Sequence, residues 1–230
     1  MLLSGNNRVF VSPYLKESRN INRYVFSQTM IVVFDFDGTI VDSKRLAYAA
    51  FLSTLKKYRI SAVGEKEWLK LYEDNFFEVI AKKGFKGRKL FALFAEVKKE
   101  YGKHLFNLRF FPGMKSLLKQ FVPHIITSNL SGIVNEFFQK RGIMCVVSGK
   151  DKGKSKTKKL LAIKRLHSLD RIIFVGDTIG DIVEGKAAKV ITVGVTWGWH
   201  GNRIRIAKPD YIVRNAEQLK RVLLSTTNIY

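Results

Sequence analysis

The chain has little cysteine, little proline, little acid and no long apolar run, and each shortage removes a class of protein. Its single cysteine, Cys145, can form no internal bridge, which excludes a disulfide scaffold and points to a reducing compartment. Four prolines among 230 residues are too few for a collagen-like fibre. No apolar stretch approaches the roughly 18 to 20 residues that cross a bilayer, and Met1 to Tyr24 lacks the apolar centre of a signal peptide. The expectation is a soluble, cytoplasmic protein that makes no membrane contact. Only 19 Asp and Glu stand against 41 Lys and Arg, a formal net charge of +22. That imbalance predicts attraction to polyanions, but it is an argument about solubility and non-specific binding rather than fold.

What is present is globular. Hydrophobic residues make up 46% and charged residues 26% of the chain, enough to bury a core and too much to stay disordered. Short β-branched runs read as buried strands: Met30 to Phe34, His124 to Ile126, Ile143 to Val147, Arg171 to Val175, Val190 to Val193 and Tyr211 to Val213. Helical periods lie between them, as in Ile133, Val134, Phe137 and Phe138, or Leu160, Leu161, Ile163 and Leu166. Gly142 and Asn215 stand where a helix should stop and start. The alternation predicts an α/β fold with a parallel sheet covered on both faces. One stretch departs from it. Across residues 43–110 the spacing is helical throughout, in Trp68, Leu71, Tyr72, Phe76, Val79 and Ile80, and again in Leu90, Leu93, Phe94, Val97 and Tyr101. A helical module inserted after the first strand is expected there, with Phe111-Pro112-Gly113 marking the return. In the first 29 residues, Val9 to Val11 and Tyr24 to Phe26 are short strand-like runs to which no function is assigned.

Two acidic clusters carry the chemistry. Asp35-Phe36-Asp37-Gly38-Thr39 follows the first strand, where side chains at the carboxyl end of a parallel sheet face the ligand crevice. Alternation puts Asp35 and Asp37 on one side and Phe36 on the other. Carboxylates this close repel unless a cation or a shared proton separates their roles, which favours one ionised nucleophile and one proton carrier. Asp177 and Asp181 end the strand at Phe174 to Gly176 in the same way. Together the clusters supply the hard oxygen donors that Mg²⁺ takes. The bland readings are an Asp-Gly turn and, for Asp181, an acidic residue at a helix amino end.

The residues resemble the haloacid dehalogenase-like (HAD) hydrolase superfamily, most closely its phosphoglycolate phosphatase-like branch with a helical cap, over nearly all of Met30 to Leu224. The ordered matches are Asp35-x-Asp37-Gly-Thr39, Thr127-Ser128-Asn129 after a strand, a lysine before a helix, and Gly176-Asp177-x-x-x-Asp181. The resemblance implies a Rossmann-like core of residues 1–42 and 111–230, of which 1–29 are an N-terminal extension with no structure assigned, and a helical cap of residues 43–110. It implies Asp35 as nucleophile, Asp37 as proton carrier, and Thr127 with the amides of Ser128 and Asn129 as the phosphoryl cradle. Mg²⁺ would sit between Asp35, the carbonyl of Asp37 and Asp177, with Asp181 supporting the metal or the lysine. Lys156 is preferred to Lys154 as that lysine, because it precedes Leu160 by four residues behind a Ser155 cap. An acid at the position of Asp37 favours a phosphate ester over a haloacid or phosphonate, and a phosphomutase uses the same pair. The expected activity is Mg²⁺-dependent hydrolysis of a small phosphorylated substrate. The alternative, drawn from the charge, is a nucleic-acid-binding protein or a nucleotide or nucleic-acid phosphatase on the same fold. The other lysines of the run 150–159 read as a solvated face, Cys145 as a small core residue, and His200, in the loop after a strand, as the one histidine placed to touch substrate, with packing or solvent the preferred role.

Overall fold

The computed structural model describes residues 30–73, 87–120, 122–152, 155–167 and 171–227. Six short runs form one sheet: β1 (Met30–Asp35), β2 (His124–Ile126), β3 (Val146–Ser148), β4 (Arg171–Gly176), β5 (Ile191–Val195) and β6 (Tyr211–Val213). The order is β3-β2-β1-β4-β5-β6, and every neighbouring pair is parallel. Successive residues of the central strands feed opposite faces. Val32, Phe34, Ile173 and Val175 pack with Leu118, Val134, Phe137, Phe138 and Leu219 on one side. Val33, Ile172 and Phe174 pack with Leu160, Ile163 and Ala188 on the other. Both faces are therefore buried, which is why these strands read as continuous apolar runs and not as alternating ones.

The covering helices are α4 (Met114–Leu118), α5 (Ser131–Gln139) and α8 (Ala216–Thr227) on the first face, with α6 (Lys156–Leu166) and α7 (Ile179–Ala187) on the second. The chain steps outward from β1 through β2 to β3, then returns to β4 on the other side of β1. A crevice opens outside the carboxyl ends where the order reverses. Register fixes which residues meet there: Asp35 is level with Ile126, and Phe34 with Val175. The α/β, Rossmann-like fold expected from the sequence is the one observed.

Between β1 and α4 lie α1 (Lys44–Lys57), α2 (Glu65–Lys70) and α3 (Gly87–Gly102). They have their own apolar cluster, built on Phe51, Leu55, Trp68, Leu69, Leu90 and Leu93. Trp199, from the loop after β5, reaches this cluster and stacks on Trp68 and Tyr72 at centroid distances of 5.0 and 4.8 Å.

Several local expectations move. The strand expected over Ile143 to Val147 begins only at Val146. Gly142 turns in the left-handed region (φ +67°) and the Ile143 amide donates back to Phe138 O at 3.1 Å, so Ile143 closes the end of α5 instead of pairing. Cys145 accordingly precedes the strand, half-buried against the core, with its thiol pushed up to about 12 by burial. Helix α2 stops at Lys70, while Phe76, Val79, Ile80 and the runs before Met30 lie outside the described residues. Asn215 does cap α8, its Oδ1 accepting from the Gln218 amide at 2.9 Å. Among the described residues no helix is long and apolar enough to cross a membrane.

Candidate active site

The turn after β1 sets the geometry. Phe36 is fully buried and packs edge-on against Phe137 and Phe138 at 5.2 and 5.7 Å, which anchors the chain between the two aspartates and leaves both facing the crevice. Gly38 then takes φ +78°, and a Cβ there would lie 2.1 Å from Asp177 Oδ2. Only glycine allows the loop after β1 to pass so close to the tip of β4.

Lys156 is the first residue of α6, behind Ser155, whose hydroxyl accepts from the Lys158 amide. Its Nζ lies 2.8 Å from Asp35 Oδ1 and 2.5 Å from Asp181 Oδ1. Asp181 Oδ2 accepts from the backbone and hydroxyl of Thr178, and its own amide donates to that hydroxyl, a closed capping box at the start of α7. One carboxylate oxygen of Asp181 thus serves the helix cap, and the other pairs with Lys156. Asp177 is held by Thr39 Oγ1 at 3.0 Å and the Trp199 amide at 2.7 Å. Asp35, Asp177 and Asp181 are buried, and each offers an oxygen within 4.8 Å of the others.

Charge is in excess here. Burial is the largest influence on Asp35, raising it to about 7 with help from Asp181 and Asp37 and against the pull of Lys156. Asp177 is raised well above the usual range by burial and by the charges of Asp181 and Asp35. Burial works against Asp181 too, but Lys156 and Thr178 outweigh it and hold that group low. Lys156, opposed by burial, is raised well above its ordinary value by Asp181 and Asp35. One ammonium does not balance three carboxylates, so hard oxygen donors and surplus negative charge both suit a divalent cation.

Asp37 faces the other wall. Its Oδ2 accepts from Asn129 Nδ2 at 2.7 Å, and its Oδ1 from the hydroxyl of Tyr101, which comes from α3. Thr127 is buried at the end of β2, its hydroxyl accepting from the Asn129 amide at 3.1 Å. Ser128 Oγ accepts from Lys98 Nζ at 2.8 Å and Asn129 Oδ1 from the same nitrogen at 3.0 Å. Helix α5 starts only at Ser131 without a side-chain cap, so Ser128 and Asn129 are not its caps. The eight residues singled out in the sequence, Asp35, Asp37, Thr127, Ser128, Asn129, Lys156, Asp177 and Asp181, thus surround one crevice. It opens into a cavity of about 600 Å³ walled by Phe51, Tyr72, Phe91, Phe94, Lys98 and Trp199. Lys154 lies outside the described residues.

Three residues go beyond the sequence reading. Tyr101 reads as a member of a helical period and Lys98 is not singled out, with nothing in the sequence to separate a lining face from a core face. Lys159 belonged to the run read as solvated, yet it is only 7% exposed. Its Nζ donates to the carbonyls of Gly149, Ser148 and Thr127 at 2.7, 3.1 and 3.4 Å, tying the ends of β2 and β3 together. The signal was its place three residues past Lys156, on the inward face of α6 beside Leu160 and Ile163. His200 is packing, as preferred: Nδ1 accepts from the Ile179 amide at 2.9 Å, which leaves Nε2 to donate to Leu69 O at 3.0 Å.

A model of the haloacid dehalogenase-like hydrolases matches residues 32–195. The chain is 25% identical over 199 residues to a phosphoglycolate phosphatase of Synechococcus elongatus, covering 82% of this chain and 94% of that one. It is 28% identical over 228 residues to a phosphoglycolate phosphatase of Haemophilus influenzae, covering 86% and 99%. Among solved structures, a haloacid dehalogenase-like hydrolase of Streptococcus pneumoniae superposes with a TM-score of 0.71 at 19% identity, over 85% of this chain and 99% of that one. The matched segment takes in the central strands and the crevice, and the chain belongs to the haloacid dehalogenase-like hydrolases.

Proposed function

We propose that the chain hydrolyses a small phosphate monoester, with Mg²⁺ as cofactor and Asp35 as the nucleophile. The observation that carries this reading is Asp35 itself: a buried carboxylate at the tip of the central strand, 2.8 Å from Lys156 Nζ and clustered with Asp177 and Asp181. A carboxylate oxygen of Asp35 attacks phosphorus as the ester P–O bond breaks, leaving an aspartyl-phosphate. Asp37, held on both oxygens by Asn129 and Tyr101, protonates the departing alkoxide. It then takes a proton from the water that attacks the same phosphorus and frees phosphate and Asp35. Thr127, Ser128 and Lys156 hold the phosphoryl oxygens. Asp35 and Asp177, with the carbonyl of Asp37, would hold the metal, and Asp181 would support the metal or the lysine; the ion would supply positive charge that offsets the repulsion between an anionic nucleophile and an anionic substrate.

In this reading the core comprises residues 30–42 and 111–230, with residues 1–29 an N-terminal extension outside the described residues, and residues 43–110 are the cap that excludes water and selects the leaving group. Phosphoglycolate, named in the relatives, is the first substrate to try. The apolar walls of the cavity and the lack of any recognised nucleic-acid motif favour a small ester over a polynucleotide. The test is Asp35→Asn with p-nitrophenyl phosphate and phosphoglycolate in the presence of Mg²⁺. Loss of turnover with an unchanged melting curve is expected, and substantial activity in the folded variant overturns the reading.

A further inference from the structure

Lys98 and Tyr101 stand one turn apart on α3, and both side chains cross to the crevice. Lys98 is opposed by burial, which lowers its pKa, and its Nζ donates to two neutral oxygens, Ser128 Oγ and Asn129 Oδ1. Asn129 is thereby oriented, because an amide whose Oδ1 accepts from Lys98 must present Nδ2, and that nitrogen donates to Asp37 Oδ2. The hydroxyl of Tyr101 donates to the other oxygen of Asp37. Every other group on the Asp35, Asp177 and Asp181 side of the crevice comes from the sheet ends and from α6 and α7. Three lysines line the cavity, Lys98, Lys150 and Lys156; Lys156 reaches Asp35 from α6 and Lys98 reaches Ser128 and Asn129 from α3.

We propose that α3 completes the phosphoryl site, with Lys98 as a second cation on the phosphoryl oxygens and Tyr101 as the positioning residue of Asp37. A half-buried ammonium whose hydrogen bonds go to a neutral hydroxyl and an amide oxygen, with the Tyr101 ring 5.6 Å below it, gains from an anion placed beside it, and a phosphoryl group held by Thr127 and Ser128 is that anion. Tyr101 and Asn129 together fix both carboxylate oxygens of Asp37, so its proton is aimed at the leaving oxygen and not at solvent. The consequence is that the helical segment acts on chemistry as well as on entry. The inference rests on the phosphatase reading above, and the experiment separates the two.

The experiment compares Lys98→Met, Lys98→Arg, Tyr101→Phe and Asp35→Asn on p-nitrophenyl phosphate and phosphoglycolate, with inorganic phosphate as competitive inhibitor and melting curves throughout. Lys98→Met is expected to raise KM and the inhibition constant of phosphate about tenfold or more, with Lys98→Arg recovering much of the loss. Tyr101→Phe is expected to leave KM and phosphate inhibition alone and to lower kcat about tenfold on phosphoglycolate, much less on p-nitrophenyl phosphate, whose leaving group needs no proton. If Asp35→Asn is inactive while both Lys98→Met and Tyr101→Phe stay within twofold of the parent in every constant, the role of α3 is overturned and the parent reading stands. Equal losses on both substrates, unrecovered by arginine and accompanied by lower melting points, also overturn it, as structural damage. An active Asp35→Asn overturns the parent reading instead.

Discussion

Lys156 Nζ lies 2.8 Å from Asp35 Oδ1 although the two residues are 121 positions apart in the chain. The contact joins the tip of the central strand to the first residue of a helix, so an ammonium meets the carboxylate where a phosphoryl group would arrive. A second bond to Asp181, itself locked by the capping box, fixes the direction of approach.

Replacing that lysine should therefore collapse turnover. Lys156→Ala is expected to lower kcat/KM by about 10² to 10³, the usual loss when a positioned charge is removed from a transition state. Lys158→Ala, an exposed neighbour two residues on, should change it less than twofold. Steady-state kinetics on both variants decide it, and equal effects would make the cluster a diffuse basic surface.

Gly38 is a second point where the site tolerates no change. With φ +78° and Asp177 Oδ2 at 2.1 Å from an added Cβ, Gly38→Ala must move the loop carrying Asp37 or displace Asp177. Strained backbone of this kind costs on the order of 1–3 kcal/mol. The variant should melt several degrees lower and retain less than about one hundredth of the activity, whereas Gly132→Ala, which meets nothing within 4 Å, should retain both.

These positions also show how far the sequence could be read. Strand tips are legible because β-branched runs and the residues after them are local, so Asp35, Asp37 and Asp177 could be placed in one crevice before any coordinates, whereas Thr127 is implied by the family resemblance. Lys156 could be preferred because its spacing from Leu160, behind a Ser155 cap, is the one the family resemblance implies. Lys98 and Tyr101 could not, since their meaning depends on how α3 packs across the sheet ends, a tertiary fact that no 3.6-residue period carries. Ile143 failed for a related reason: an apolar residue after a helix-ending glycine packs in the same way whether or not a strand has begun.

The acidic cluster predicts metal dependence. Chelation should abolish turnover and added Mg²⁺ restore it, and Asp177→Asn should weaken the metal by at least tenfold. Because Asp177 is raised by burial and by Asp181 and Asp35, removing its charge should also stabilise the metal-free protein relative to the parent. Metal titration followed by melting temperature measures both effects, and a variant that binds Mg²⁺ like the parent would remove Asp177 from the ligand set.

Lys159 supplies a prediction about stability alone. Burial lowers its pKa from the ordinary 10.5 to about 8, so between pH 8 and 10.5 the unfolded chain holds a proton that the native state has released. Stability then rises with pH across that window and is lost again as pH falls through about 8, by up to a few kcal/mol. Lys159→Met removes the titration and leaves the carbonyls of Thr127, Ser148 and Gly149 without their donor, at about 1–3 kcal/mol for unsatisfied buried groups. The difference in unfolding free energy between parent and variant should therefore widen from pH 7.5 to pH 10, measured by urea unfolding at fixed ionic strength. A difference that stays constant with pH would mean that Lys159 keeps its ordinary titration in the folded protein, and that its three carbonyl bonds hold a fully charged ammonium at the ends of β2 and β3.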